Sequence, residues 1–323
     1  MAVLTTFSFS WTQKWAFAWL GLLVAVAAVA PALPLPYLPT VPDLAHVAQA
    51  PLGPGRHWLG TDVQGRDVLS LLVFGTRTAV LLTLPAALLA ACIGALAGGA
   101  AGFWGNRRRV ETAYWVLAAG GAWWVLRLPA PWLGPLVAAL AGARLLMSKR
   151  NRPTPGPRLP LDALVMGAAT ALDSIPRLVL VVAMAASAGG VSATGLLVLL
   201  TLTAWPTPAR LVRAQMLRVR ALPFAEAARA AGVPEWRIWL RHAMPHAIKP
   251  LESNFPLSLV SLLSLESTLS FLGVGLPPEI ASWGRLMASF RQEPSAWWLL
   301  AFPTIMLVIS ILSLNALARW RRI

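Results

Sequence analysis

Residues 77–109 read RTAVLLTLPAALLAACIGALAGGAAGFWGNRRR. The stretch from Arg77 to Trp104 is rich in Ala, Leu and Gly and long enough to cross the roughly 30 Å of bilayer hydrocarbon at about 1.5 Å per residue. Arg107, Arg108 and Arg109 follow at once. An apolar run closed by bases predicts a membrane-spanning helix whose second end lies in the cytoplasm. Gly94, Gly98 and Gly102 recur every four residues, so one face of this helix is nearly bare backbone. Such a face permits close helix approach in lipid, although Ala/Gly filler gives the same pattern.

The rest of the chain agrees with a bilayer as solvent. Of its 323 residues 57% are hydrophobic and 12% charged, with mean hydropathy +0.66, more apolar surface than a soluble domain of this length hides. The formal charge of +15 brings nucleic acid to mind. Its placement between apolar runs, rather than on one basic face, speaks against nucleic acid and for cytoplasmic loops beside membrane lipid. The single cysteine, Cys92, lies in an apolar run and excludes an intrachain disulfide. Of the four histidines, His242 and His246 are four residues apart with Pro245 between them. No carboxylate completes a metal set there, so structural or solvated histidines are expected, His46 and His57 included.

Further spans are expected at 15–31, 163–186, 194–212, 254–273 and 297–317. The first, after Lys14, has the small-residue end of a signal peptide but reads better as a retained anchor, because the remainder is also membrane-embedded. Pro31 to about Thr76 is a Pro-rich polar stretch of net charge −1, as in an external loop. Domain limits follow: 1–76, anchor and external segment; 77–322, the membrane domain. Within 110–160 two apolar pieces, 112–127 and 131–147, flank Leu128-Pro129-Ala130-Pro131, with bases outside both. Equal charge on both flanks requires an even number of crossings, which gives eight spans, or six plus a surface hairpin.

The most informative loop is 218–250. Seven bases (Arg213, Arg218, Arg220, Arg229, Arg237, Arg241 and Lys249) face only Glu226 and Glu235 in and beside it, the strongest cytoplasmic signal in the chain. The Arg-rich C-terminus joins it, placing both termini on that side. Leu222 to Gly232 reads as a short helix, with Pro223 in the first turn and Gly232 able to take the left-handed position past the end. Glu226 is positioned to pair with Arg229. A second helix is expected from Glu235 to about Pro245, with Trp236, Trp239 and Leu240 on one face. The pair forms a rigid knob for a soluble partner, or an amphipathic loop lying on lipid headgroups.

These residues resemble a known family. Glu226-Ala227-Ala228, then Gly232, then Pro245 reproduce the EAA motif of ABC importer permeases, with His242 and Met244 where that motif has Ile and Leu. His57-Trp58-Leu59-Gly60-Thr61-Asp62, running on to Ser70, is similar to the stretch before the second span in the C-type permease of dipeptide, oligopeptide and nickel importers. Glu266-Ser267-Thr268-Leu269-Ser270-Phe271-Leu272-Gly273, followed by Ser282-Trp283-Gly284, is similar to the segment after its fifth span. The resemblance implies an all-α polytopic protein of the type I ABC importer fold, with six core helices and residues 106–160 as an inserted helical hairpin. It implies that Glu226, Ala227, Ala228, Gly232 and Pro245 belong to a coupling loop docking on two ABC ATPase subunits, which hold ATP and Mg. A second permease subunit and an extracytoplasmic solute-binding protein complete the expected assembly.

No Walker-type loop, HExxH or paired carboxylates occur, so no catalytic residue or cofactor is assigned to this chain. Asp173 and Glu266 are the acids within apolar runs. Each either lines a transport path or ties helices together. A membrane-embedded enzyme and an uncoupled channel or scaffold are the rival readings.

Overall fold

The computed structural model describes residues 10–53, 55–106, 108–109, 158–187 and 192–319. The helices are α1 (Trp11–Val29), α2 (Val68–Trp104), α3 (Leu161–Asp173), α4 (Arg177–Ser187), α5 (Ala193–Ala204), α6 (Pro206–Val219), α7 (Pro223–Ala230), α8 (Glu235–Arg237), α9 (Met244–Ala247), α10 (Lys249–Phe271), α11 (Trp283–Ser289) and α12 (Trp298–Arg319). A two-residue antiparallel ladder pairs β1 (Arg108–Arg109) with β2 (Arg158–Leu159). Asn106 Oδ1 accepts from the Ala163 N–H at 3.1 Å, so the two ends of the expected insertion meet. The expected hairpin pieces, 112–127 and 131–147, lie outside the described residues.

The central element is α2, whose 37 residues extend about 55 Å and pack on α1, α3, α5, α6, α10 and α11. It starts nine residues before the expected boundary at Arg77. Asp67 caps it by accepting from the Ser70 N–H at 2.8 Å, and Val68, Leu71 and Leu72 are buried. The polar look of residues 61–67 concealed a helix start, because the capping acid and the turn before it are themselves polar.

The glycine face of α2 is the seam of the bundle. A Cβ on Gly94 would meet Pro208 Cβ at 2.6 Å, on Gly98 the Ala209 carbonyl oxygen at 2.0 Å, and on Gly102 Met216 Cβ at 2.8 Å. The repeat is therefore close packing against α6, not filler. Ala193–Val219 runs as one 27-residue span, since Pro206 falls in the first turn of α6, where its missing N–H leaves nothing unpaired.

The expected single span over 163–186 is instead broken. α3 and α4 meet at 83° around Ser174-Ile175-Pro176, because proline ends the hydrogen-bond ladder and disfavours helical geometry at the residue before it. Among the described residues four helices are long and apolar enough to cross a membrane, five if the bent pair counts as one. α10 matches them in length with 23 residues, but its serines and Glu266 lower its apolarity.

The end of the bundle where α2 begins is closed by two indoles. Trp298 Nε1 donates to Thr61 O at 3.1 Å and Trp283 Nε1 to Leu72 O at 3.2 Å, which ties α11, α12 and the 33–67 segment to the head of α2. Trp19 Nε1 donates to Ser310 Oγ at 3.1 Å, so α1 is docked on α12.

Gly98→Leu is expected to lower stability by about 3 kcal/mol or more through overpacking at the seam. Gly21→Leu, whose Cβ would meet nothing within 4 Å, should stay within about 0.5 kcal/mol. Thermal melting of the two variants in detergent checks this, and equal melting points would remove the seam from the account.

Candidate functional site

Between α6 and α10 the chain folds residues 220–248 into an elbow. α7 opens after Leu222, which is extended, with Pro223 in its first turn, Glu226 near its positive end and Arg229 in its last turn. Gly232 has φ +73°. Its N–H donates to Arg229 O at 3.0 Å, and the Val233 N–H donates to Ala228 O at 3.1 Å. This hydrogen-bond pair closes a helix through a left-handed residue, as the sequence predicts. Nothing lies within 4 Å of a Cβ on Gly232, so backbone conformation rather than space requires glycine there.

The second arm differs from expectation. After the single turn of α8 the chain forms a π turn, Ile238–Ala243, then α9 and, directly, α10. Pro245 does not end this arm. It sits in the first turn of α9, where a missing N–H is tolerated. Ile238, Ala243 and Ala247 are fully buried, whereas Trp236 and Leu240 are 56% and 50% exposed. Of the expected Trp236/Trp239/Leu240 face, Trp236 and Leu240 point outward, whereas Trp239 packs against the inner cluster. The π turn, one residue wider than an α turn, breaks the simple 3.6-residue count.

Inward, Ala225, Ile238, Ala243, Met244 and Ala247 form one cluster with Phe103 of α2 and with Val212, Met216 and Val219 of α6. The elbow is therefore built onto the same two helices that meet at the glycine seam. Arg220 Nη1 donates to the carbonyl oxygens of Gly102 at 2.8 Å and Phe103 at 3.2 Å, satisfying acceptors at the end of α2. Trp104 Nε1 donates to Glu235 Oε2 at 3.1 Å, and the Trp104 and Trp239 ring centroids are 5.0 Å apart. Arg229 does not pair with Glu226, its expected partner; its Nε lies 3.8 Å from Glu235 Oε1. Glu226 and Ala227 face outward beside Pro223 and Leu222, while Ala228 packs against the cluster.

The two acids in apolar runs have separate settings. Asp173 ends α3 at the bend and forms an ion pair with Arg210 of α6, both half exposed. Glu266 is buried and accepts from Ser270 Oγ and Ser282 Oγ, each at 2.9 Å, and from Ser267 Oγ at 3.4 Å. It joins α10 to the start of α11, and a Cβ on Gly284 would lie 2.1 Å from Ser267 O. The Glu266-Ser267 and Ser282-Trp283-Gly284 segments thus form one packed unit.

Sequence reasoning missed several polar groups. Arg213, counted above as a loop charge, grips the Asp162 carboxylate with Nε and, at 2.6 Å, with Nη2. Arg77 and Glu279 line a cavity of about 510 Å³ between α2, α5 and residues 276–281. A lone Arg inside an otherwise apolar helix was the available signal for it. Asp43, His46 and His57 come together at the opposite end from the elbow. Hydrogen bonding to His46 holds the Asp43 carboxyl below its usual value.

Comparison with known proteins places these features in a family. The family described as "Binding-protein-dependent transport system inner membrane component" matches residues 156–321, just over half of the chain. A provisionally named peptide transport system permease of Brucella suis biovar 1 (strain 1330) is 28% identical, with 92% of this chain and 82% of that protein covered. A provisionally named D,D-dipeptide transport system permease, DdpC of Escherichia coli (strain K12), is 26% identical over 80% of this chain and 69% of its own length. Among solved structures, the inward-facing MetNI methionine ABC transporter aligns with a TM-score of 0.48 and 19% identity, covering 75% of this chain and 89% of the other. The family match includes the elbow and every helix from α3 onward, and the chain belongs to the binding-protein-dependent transport system inner membrane components.

Proposed function

We propose that this chain is the permease subunit of an ATP-driven importer for peptides or related small solutes, and that its elbow takes up the stroke of two ATPase chains. The observation that carries the proposal is the elbow's construction. Its inner side shares one apolar cluster with the ends of α2 and α6. Its outer side presents Leu222, Glu226, Ala227, Trp236 and Leu240 to a partner. Large apolar side chains left outside at a polar end of a bundle mark an interaction surface. The peptide reading rests on the peptide and dipeptide permeases among its relatives.

In this reading the elbow and both termini face the cytoplasm, and the 33–67 segment faces outward, toward an extracytoplasmic solute-binding protein. A second permease subunit shares the path. ATP and Mg reside in the ATPase chains, and this chain holds no cofactor. Closure of the ATPases pushes the elbow. Because Gly232 fixes the angle between α7 and the second arm, the push reaches α2 and α6 rather than dissipating in the loop. The bundle then rocks between inward-open and outward-open forms.

Gly232→Leu is expected to lower ATP-driven uptake at least about tenfold, since a branched side chain resists the left-handed conformation by roughly 1–2 kcal/mol. Gly232→Asn, which tolerates it, should retain most uptake. Uptake in proteoliposomes, read beside ATP hydrolysis, distinguishes lost coupling from lost assembly; a fully active Gly232→Leu transporter would falsify the elbow's role.

Asp173 is the acid best placed to meet solute, being half exposed beside the α3–α4 bend. Exposed ion pairs contribute only about 0–1 kcal/mol, so Asp173→Asn should assemble normally and reduce uptake several-fold. Unchanged uptake removes Asp173 from the path.

A further inference from the structure

The 33–67 segment contains a donor set that the transport reading does not use. His57 is buried, its ring stacked on Tyr37 with centroids 4.1 Å apart. Its Nδ1 lies 2.9 Å from Asp67 Oδ1 and its Nε2 lies 3.4 Å from Asp43 Oδ2. The same Asp43 oxygen is 2.8 Å from His46 Nδ1. One ligand atom from each of Asp43, His46 and His57 lies within 4.8 Å of the others.

A neutral imidazole carries one proton and cannot donate it to two carboxylates. With Nδ1–H directed at Asp67, Nε2 presents a lone pair toward Asp43, and His46 presents Nδ1 to the same point. Two imidazole nitrogens and a carboxylate oxygen form a three-ligand set that suits a borderline divalent transition metal. Asp67 behind His57 supplies the carboxylate that commonly fixes the tautomer of a metal-bound imidazole. A second observation points to the same place. The side-chain amide of Gln49 is buried with neither its oxygen nor its nitrogen hydrogen-bonded. A Cβ on Gly55 would stand 2.7 Å from Gln49 Oε1 and 2.9 Å from His46 Cγ, so this orphaned amide is beside the His46 ring.

We propose that Asp43, His46 and His57 bind one zinc-type divalent cation, with Asp67 orienting His57. Separations of 2.8–4.8 Å between ligand atoms bracket the ~3.3 Å expected between ligands about 2.0–2.1 Å from a tetrahedral ion, so only small side-chain shifts are needed. The Asp43 and His46 side chains, 27% and 34% exposed, leave the site accessible from water. The bound ion ties residues 43–57 to the acid that caps α2 and so fixes this loop against the central helix.

The test uses the untagged full transporter, stripped with a chelator, freed of it and titrated with Zn²⁺ by calorimetry, with Co²⁺ absorption as a probe of ligand geometry. The expected result is one saturable site per copy of this chain, weakened at least about 100-fold by His46→Ala or Asp43→Asn. Asp67→Asn should weaken it about 10–100-fold, and a His242→Ala/His246→Ala double variant should leave it unchanged. Zn²⁺ should raise the melting temperature of the wild type and not of His46→Ala. Zinc binding equal in wild type and His46→Ala, or no saturable binding in the wild type, overturns the proposal.

Discussion

The bundle depends on how closely α2 approaches α6. At Gly94, Gly98 and Gly102 even a methyl group would overlap the neighbouring helix segment, in each case within 3 Å of a backbone carbonyl oxygen. Within lipid no hydrophobic force favours helix association, so contact area between backbones must supply the attraction. Both ends of α2 then acquire fixed positions. One carries the 33–67 segment and the indoles of Trp283 and Trp298. The other carries Arg220 and the elbow.

That arrangement gives the elbow mechanical meaning. A loop attached to one helix would swing with it, whereas this one shares a buried cluster with two helices already locked together. The left-handed Gly232 and the carbonyl contacts of Arg220 keep its angle set. α3, which ends at the bend before Pro176, is tied to α6 by the ion pairs of Asp173 with Arg210 and of Asp162 with Arg213. α6 is therefore the element through which the elbow, the seam and the broken helix meet.

Much of this was legible in advance. The left-handed Gly232, the start of α7 at Pro223 and the apolar stretches of α1, α5 and α12 follow from local signals, namely glycine position, proline position and apolar length. Where reading failed, the reason was non-local. Arg229 chose Glu235 over Glu226 because the fold of the elbow brings the second arm alongside the first. The second arm runs on past Pro245 through a π turn that no periodicity count anticipates. Asp67 and Val68 began a helix inside what reads as a polar loop.

The sequence by itself determined that this chain lives in a membrane, which parts of it are helical and which residues resemble the importer permeases, because bilayer thickness and helix capping act on short contiguous stretches. Only the tertiary structure decided what the glycine stripe packs against. It also decided that Glu266 is enclosed by three serines, and that Asp43, His46 and His57, up to fourteen residues apart, face one point. Side chains distant along the chain converge only after the backbone between them has been given its path, and that path is set by packing, which no single stretch encodes.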